Sequence, residues 1–323
     1  MVKICLDDHC FELSPHLSLL EGLEAEGMEW PNQCRSGKCQ TCLVRVLDGD
    51  VPDEARRGLK PSLAMQGLAM ACVCYPEGDL KIAATYAAVM KTGVEVIGLE
   101  RLTPEILEVR LRPDQVMSYR AGQFIHLVRP GDGLKRSYSI ASVPSTDAAD
   151  LHLHVRRIPG GAMSAWLFDE VATGDRLEVE GPFGDCFYVP GDVNQPLLMV
   201  ATGTGLAPLW GVLRDALQQG HQGPIHLYHG SRSPDGLYLV DALWQLAVAH
   251  PQLHYYPCLS SADNSLEGCH AGRASDLALE HHATLKGWRI YLCGQPDMVT
   301  LLRRKTFIAG AAMQDIHMDA FTS

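Results

Sequence analysis

Four cysteines carry the strongest chemical signal in the chain. Cys34, Cys39 and Cys42 follow one another at x4 and x2 spacing, and Cys72 lies farther on. Thiolates are soft ligands. Three from one tight loop and a fourth from elsewhere suit a cluster of two irons and two sulfides. Structural zinc more often shows paired CxxC units, and here only Cys39-x2-Cys42 has that form. Within the loop NQCRSGKCQTC, Gly37 permits a sharp turn. Arg35, Ser36 and the loop amides are expected to point N–H groups at the sulfurs. The fourth ligand stays open between Cys72 and Cys74, which would face the same way on a strand. Cys5 and Cys10 read as packing residues.

Three further motifs suit nucleotide chemistry. Arg136-Ser137-Tyr138-Ser139 places a phosphate-binding cation, an aromatic ring and a hydroxyl on one strand. Gly160-Gly161-Ala162-Met163-Ser164 opens an expected helix, whose first N–H groups would meet an anion with the Ser164 hydroxyl beside them. Thr202-Gly203-Thr204-Gly205-Leu206-Ala207-Pro208 follows an apolar strand. Its GxG lacks the third glycine of the full dinucleotide fingerprint. Cys293-Gly294-Gln295-Pro296-Asp297-Met298 ends a later strand.

The elements that must carry these residues divide the chain by texture. A length of 323 residues favours two or three domains. Residues 1–86 hold seven of the 11 Cys and an acidic helix within Leu17 to Glu29. The segment Ala83 to Met90 reads as a linker or crossing strand. Residues 91–190 show six or so short alternating runs with Gly and Pro between them, the pattern of an antiparallel barrel. Residues 191–323 alternate buried strands with helices, which predicts a doubly wound parallel sheet. The fold class expected is therefore a multidomain chain with α+β and α/β parts.

Net charge is −11, which disfavours nucleic acid and anionic membrane as partners. No apolar run is long enough to span a bilayer, and the first residues lack the apolar core of a signal peptide. A cytoplasmic monomer is expected. The 14 His show no metal-ligand spacing, and His281 and His282 read as surface helix residues.

With these residues in view, NQCRSGKCQTC and MACVCYP resemble the plant-type ferredoxin domain, a β-grasp fold. In that family the last ligand precedes a proline by a few residues, as Cys72 precedes Pro76, and this favours Cys72. The RSYS strand and GGAMS helix start resemble the ferredoxin–NADP reductase superfamily, whose six-stranded barrel binds FAD. The resemblance implies Arg136, Tyr138, Ser139, Gly160, Gly161, Met163 and Ser164 as flavin contacts, with Ser139 in reach of N5. GTGLAP and CGQPDM resemble the superfamily's nicotinamide loops. They imply Thr202, Gly203, Thr204, Gly205, Pro208 and Gly294 as cofactor contacts and Cys293 beside the nicotinamide. Phe321 is a candidate to cover the flavin face or simply to pack. Arg232 suits either a 2′-phosphate or the adenosine ribose, and Asp235 or Asp241 would suit a 2′-hydroxyl. NADH is favoured and NADPH remains open.

The whole order is similar to that of three-domain reductases serving bacterial oxygenases. It implies electron flow from NADH to FAD, to the 2Fe–2S cluster, and on to a terminal oxygenase of aromatic or alkyl hydroxylation. Two alternatives share the motifs. One is a reductase for a deoxysugar dehydratase, and the other is a ferredoxin module without reductase activity.

Overall fold

The computed structural model describes residues 1–85, 90–144, 150–261 and 267–321. The chain divides into two compact units, Met1–Val89 and Met90–Ser323.

The first unit is a five-stranded mixed sheet crossed by a helix. Its strands are β1 (Val2–Leu6), β2 (His9–Leu13), β3 (Leu43–Asp48), β4 (Leu68–Met70) and β5 (Leu80–Ala84), in the order β2-β1-β5-β3-β4. β1 and β5 run parallel, and the other neighbours are antiparallel. The acidic segment forms a shorter helix than expected, α1 (Leu19–Ala25). Ser18 caps it: the Glu21 N–H donates to the Ser18 hydroxyl, and the Ser18 N–H donates to the Glu21 carboxylate. Leu19, Leu20 and Leu23 then fall on one buried face and pack with Ile4, Phe11 and Val44. Each buried Leu contributes about 1.5–3 kcal/mol. A second short helix, α2 (Pro61–Met65), precedes β4.

The cysteines of this unit depart from the sequence-based expectation in two places. Cys5 and Cys10 are not packing residues. They face each other across the β1–β2 hairpin and form a disulfide, with Cys10 exposed. The hairpin's inward face is taken by Ile4, Phe11 and Leu13, so the alternating positions look outward. Nor do Cys72 and Cys74 share a strand. Ala71–Val73 is a 3₁₀ turn, and the two thiols have different surroundings.

The second unit begins with an antiparallel barrel. Its strands are β6 (Met90–Thr103), β7 (Ile106–Pro113), β8 (Phe124–Val128), β9 (Lys135–Ser139), β10 (Leu151–Arg156) and β11 (Arg176–Phe183), in the order β10-β7-β6-β11-β8-β9. A bridge from Ile140 to Leu153 joins the end of β9 to β10 and closes the ring. Val94, Val109, Ile125, Leu153 and Val179 fill its interior. The helix α3 (Ala162–Asp169) packs Met163 and Leu167 against that core.

A six-stranded, wholly parallel sheet follows. It comprises β12 (Leu197–Thr202), β13 (Ile225–Ser231), β14 (Leu253–Leu259), β15 (His270–Ala271), β16 (Arg289–Gly294) and β17 (Ile316–Ala320), in the order β15-β14-β13-β12-β16-β17. Helices α4 (Leu206–Gln218) and α5 (Val240–Ala249) cover one face. Helices α6 (Ala274–His281) and α7 (Pro296–Ile308) cover the other. Burial on both faces explains why β12 and β16 read as unbroken apolar runs. The strand order reverses between β12 and β16, and doubly wound sheets bind ligands outside the carboxyl ends of their strands at such a point.

His282 departs from the expected surface position. It is only 8% exposed. The helix α6 ends one residue earlier, and the His282 ring turns back against Trp288 and His226. Of the segment Ala83 to Met90, the two ends close β5 and open β6, and 86–89 lie outside the described residues.

Candidate functional site

The cysteine loop is built from backbone that few residues adopt. Arg35, Gly37 and Gln40 all have positive φ, at 50°, 70° and 58°. This winding turns consecutive N–H groups inward. Cys34 Sγ accepts from the amides of Ser36, Lys38 and Cys39 at 3.5, 3.4 and 3.3 Å. The amides, Ser36 foremost, draw its thiol down to about 5. Cys39 Sγ accepts from the Cys34 N–H at 3.4 Å, and its thiol is also lowered, chiefly by hydrogen bonds from Thr41. Helix α1 steadies the loop from outside: Glu24 accepts from Asn32 at 3.1 Å and pairs with Arg35.

Among the described residues, no three His, Cys, Asp or Glu side chains close on one point as a single ion requires. A two-iron cluster asks instead for two thiolates on each iron. The sulfurs do fall into two pairs. Cys34 neighbours Cys39, and Cys42 neighbours Cys72. The first pair is exposed and the second buried. Burial pushes the Cys42 thiol up to about 11. Cys74 is wholly buried in the sheet's core, pushed up to about 12 by the same cause. Cys72, beside Cys42, is the better placed of the two. The residues fit the cluster.

The flavin candidates lie on β9 and at the start of α3. Arg136 is exposed and donates to the Lys135 carbonyl at 2.7 Å; among the described residues no carboxylate pairs with it. Tyr138 packs against the barrel core. Gly160 has φ of 71°, and a Cβ at Gly161 would stand 2.7 Å from Ser164 Oγ, so the turn into α3 needs both glycines. Ser164 is less free than its motif suggests. Its hydroxyl donates to the Gly161 carbonyl at 3.2 Å and accepts from the Ile158 N–H at 3.0 Å, stitching its own helix start. The Met163 side chain is buried in the core, which leaves its backbone N–H at the helix start to face a ligand.

The nicotinamide candidates meet at the strand-order reversal. Ala201 on β12 pairs with Cys293 on β16, so the loop Thr202–Gly205 and the turn at Gly294 leave the sheet side by side. They approach so closely that a Cβ on Gly205 would lie 2.2 Å from the Cys293 carbonyl oxygen. Gly294, at φ 127°, is equally tight against Thr202. The Thr202 hydroxyl accepts from the Gln295 N–H at 3.1 Å. Pro208 is buried in the first turn of α4. Phe321 is half-buried, and its N–H donates to the Gly294 carbonyl at 2.8 Å. Arg232 sits exposed just beyond β13, with no carboxylate partner among the described residues. Asp235 and Asp241 are exposed nearby in sequence.

One candidate residue escaped the sequence reading. Asp319, on β17, is the register partner of Cys293. It accepts a hydrogen bond of 2.9 Å from the Ser139 hydroxyl, so the barrel's last RSYS residue and the Cys293 strand end are joined through it. Burial raises its carboxyl above the usual range. The available signal was slight: one acid between apolar residues on a terminal strand. Asp319→Ala frees the Ser139 hydroxyl and should lower kcat for NADH-driven dye reduction about tenfold, with KM changed far less. Asp319→Asn keeps an acceptor oxygen and should recover most of the rate. Equal loss in both variants would show that the hydrogen bond has no positioning role.

Comparison with known proteins bears on the whole arrangement. Residues 2–77 match the model of the 2Fe-2S iron-sulfur cluster binding domain, 101–188 the oxidoreductase FAD-binding domain, and 199–304 the oxidoreductase NAD-binding domain. The reductase subunit of an aromatic O-demethylase from Amycolatopsis is 34% identical over 328 residues, covering 96% of each chain. The chain belongs to the three-domain ferredoxin–NAD(P)(+) reductase family. Another member, the reductase component of a naphthalene 1,2-dioxygenase system from Pseudomonas putida, is 34% identical and covers 94% of this chain and 93% of its own. Among solved structures, an Amycolatopsis cytochrome P450 reductase superposes with TM-score 0.70 at 31% identity, covering 100% of this chain and 99% of that one. The ferredoxin reductase of a carbazole 1,9a-dioxygenase gives 0.66 at 26%, covering 99% and 98%. Membership in this reductase family sets aside the reading of a ferredoxin module without reductase activity. Among the described residues, no helix is long and apolar enough to cross a membrane.

Proposed function

We propose that this chain oxidises NADH where β12 and β16 end and delivers electrons singly, through the cysteine loop, to an oxygenase component. The observation that carries this is the junction of Ser139, Asp319 and Cys293, where flavin barrel and nucleotide sheet meet in one hydrogen-bonded site. Arg136, Tyr138 and the start of α3 would hold an FAD, whose chemistry there would be to take up the two electrons of one hydride and pass them on singly. The protein's own residues do the positioning. The GTG loop and the first amides of α4 receive the coenzyme's phosphates, Arg136 and the start of α3 receive those of the flavin, and Ser139 is held by Asp319 toward the reacting ring. Cys34, Cys39, Cys42 and Cys72 hold the cluster, with the exposed Cys34 and Cys39 side offering the exit.

Domain limits of 1–86, 91–190 and 191–323 accompany this reading. So does a terminal oxygenase of aromatic or alkyl hydroxylation as partner, since the similar full-length proteins are named as reductases of such systems. A reducing compartment suits nine free cysteines, and the cytoplasm is therefore proposed, although the Cys5–Cys10 disulfide runs against that trend. The purified chain should show flavin and iron–sulfur absorbance together and should reduce cytochrome c with NADH. A chain with neither absorbance, or one that leaves cytochrome c oxidised, refutes the proposal.

A further inference from the structure

Two thiols lie in contact in the second unit, and only one of them, Cys293, belongs to the proposed hydride site. Cys186 Sγ and Cys293 Sγ are 3.6 Å apart. Both are buried, at 3% and 0% exposure. They come from different parts of the second unit. Cys293 ends β16 of the parallel sheet, and Cys186 lies just beyond β11, where the chain leaves the barrel. Both join the same apolar cluster, with Leu206 of the first α4 turn. The Cys186 segment is fixed in place, because Gly122 passes so close that a Cβ there would stand 2.3 Å from the Cys186 carbonyl oxygen.

We propose that Cys186 and Cys293 form a reversible disulfide under hydroperoxide, and that this bond shuts off hydride transfer. The inference rests on the placement of Cys293 at the nicotinamide site. One thiol, as its thiolate, attacks the O–O bond of a hydroperoxide and becomes a sulfenic acid. The other oxygen leaves as an alcohol, or as water from hydrogen peroxide, carrying the thiol's proton. The second thiol then displaces the sulfenic oxygen as water, and the S–S bond forms. Two thiols and one hydroperoxide thus give one disulfide, one alcohol and one water. A dithiol reverses the step by exchange.

The geometry makes the bond costly to activity. A disulfide needs the sulfurs about 1.5 Å closer than they stand. That draws the end of β16 toward the barrel, and Gly294, Gly205 and Asp319 are all packed against that end. A displacement of about 1 Å at a reacting centre can cost about 100-fold in rate. Burial holds the Cys293 thiol well above its ordinary range, so the closed site reacts slowly. The bond therefore answers sustained exposure to peroxide and leaves single turnovers untouched.

The test uses the holoprotein, treated with hydrogen peroxide and blocked with N-ethylmaleimide. Peptide mass spectrometry should find a cross-linked pair containing Cys186 and Cys293, lighter by two hydrogens than the separate peptides. NADH oxidation with a two-electron dye, which bypasses the iron–sulfur cluster, should fall about 100-fold and return with dithiothreitol. Cys186→Ser should keep the untreated rate and lose the dithiothreitol-reversible inhibition. Absence of the cross-linked peptide overturns the proposal. So does a cross-linked protein that still oxidises NADH at full rate, or equal reversible inhibition in Cys186→Ser. Untreated protein that fails to oxidise NADH would instead refute the reductase reading beneath it.

Discussion

Cys34→Ser should stop NADH-driven reduction of cytochrome c while leaving NADH-driven reduction of a two-electron dye near its normal rate. Cys34 Sγ accepts three backbone N–H groups and lies in the exposed pair. A serine hydroxyl is smaller, harder and far less acidic, so it neither satisfies these long N–H···S contacts nor ligates as a thiolate. Loss of a partner to a metal ligand alone costs about 10–100-fold in affinity or activity. Loss of a ligand should exceed that, so one-electron transfer should drop by more than about 100-fold. The flavin route is untouched, because Cys34 lies in the first compact unit and the barrel and nucleotide sheet form the second. Two companion variants sort the fourth ligand: Cys72→Ser should lose iron, and Cys74→Ser should keep it. A Cys34→Ser protein that reduces cytochrome c at full rate would move the electron exit away from the cysteine loop.

Gly205→Ala should lower kcat/KM for NADH by about 100-fold. The new Cβ would meet the Cys293 carbonyl oxygen at 2.2 Å, its carbon at 2.5 Å and Gly294 Cα at 2.7 Å. All three are backbone atoms of a strand held on both sides by β12 and β17. The loop must therefore move, and its amides leave the place where coenzyme phosphate would sit. Overpacking of this kind also costs about 1–3 kcal/mol of stability. Gly191→Ala is the control, since nothing lies within 4 Å of a Cβ there and its φ is ordinary. The iron–sulfur absorbance should survive in both variants, which separates a local defect from general misfolding. Wild-type kinetics in Gly205→Ala would remove the nicotinamide site from this loop.

Much of this was legible in the chain because the signals were periodic or closely spaced. Alternating runs gave the six barrel strands, and unbroken apolar runs such as PLLMVA gave β12 and β16 of the parallel sheet. The candidate ligand loop stood out because Cys34, Cys39 and Cys42 lie close together in the chain. What escaped depends on pairing across long stretches. Asp319 meets Ser139 across 180 residues, and Cys186 meets Cys293 across 107. No local pattern encodes either contact. The Cys5–Cys10 disulfide required knowing that a hairpin turns at Asp7 and Asp8 and sets those two residues opposite each other. Cys72 and Cys74 would face the same way on a strand, whereas the chain makes a 3₁₀ turn there and separates them. The Gly-Gly-x-x-Ser spacing suits a ligand hydroxyl and a helix start alike, and the Ser164 hydroxyl bonds within its own turn.

The proposed relay takes hydride in at the end of β16 and passes single electrons out at the Cys34 loop. Anaerobic addition of NADH to the purified chain, followed by visible absorbance, tests it most directly. Flavin and iron–sulfur absorbance should both bleach, the second only when the cluster's four cysteines are intact. Flavin that bleaches while the iron–sulfur absorbance persists would contradict the relay.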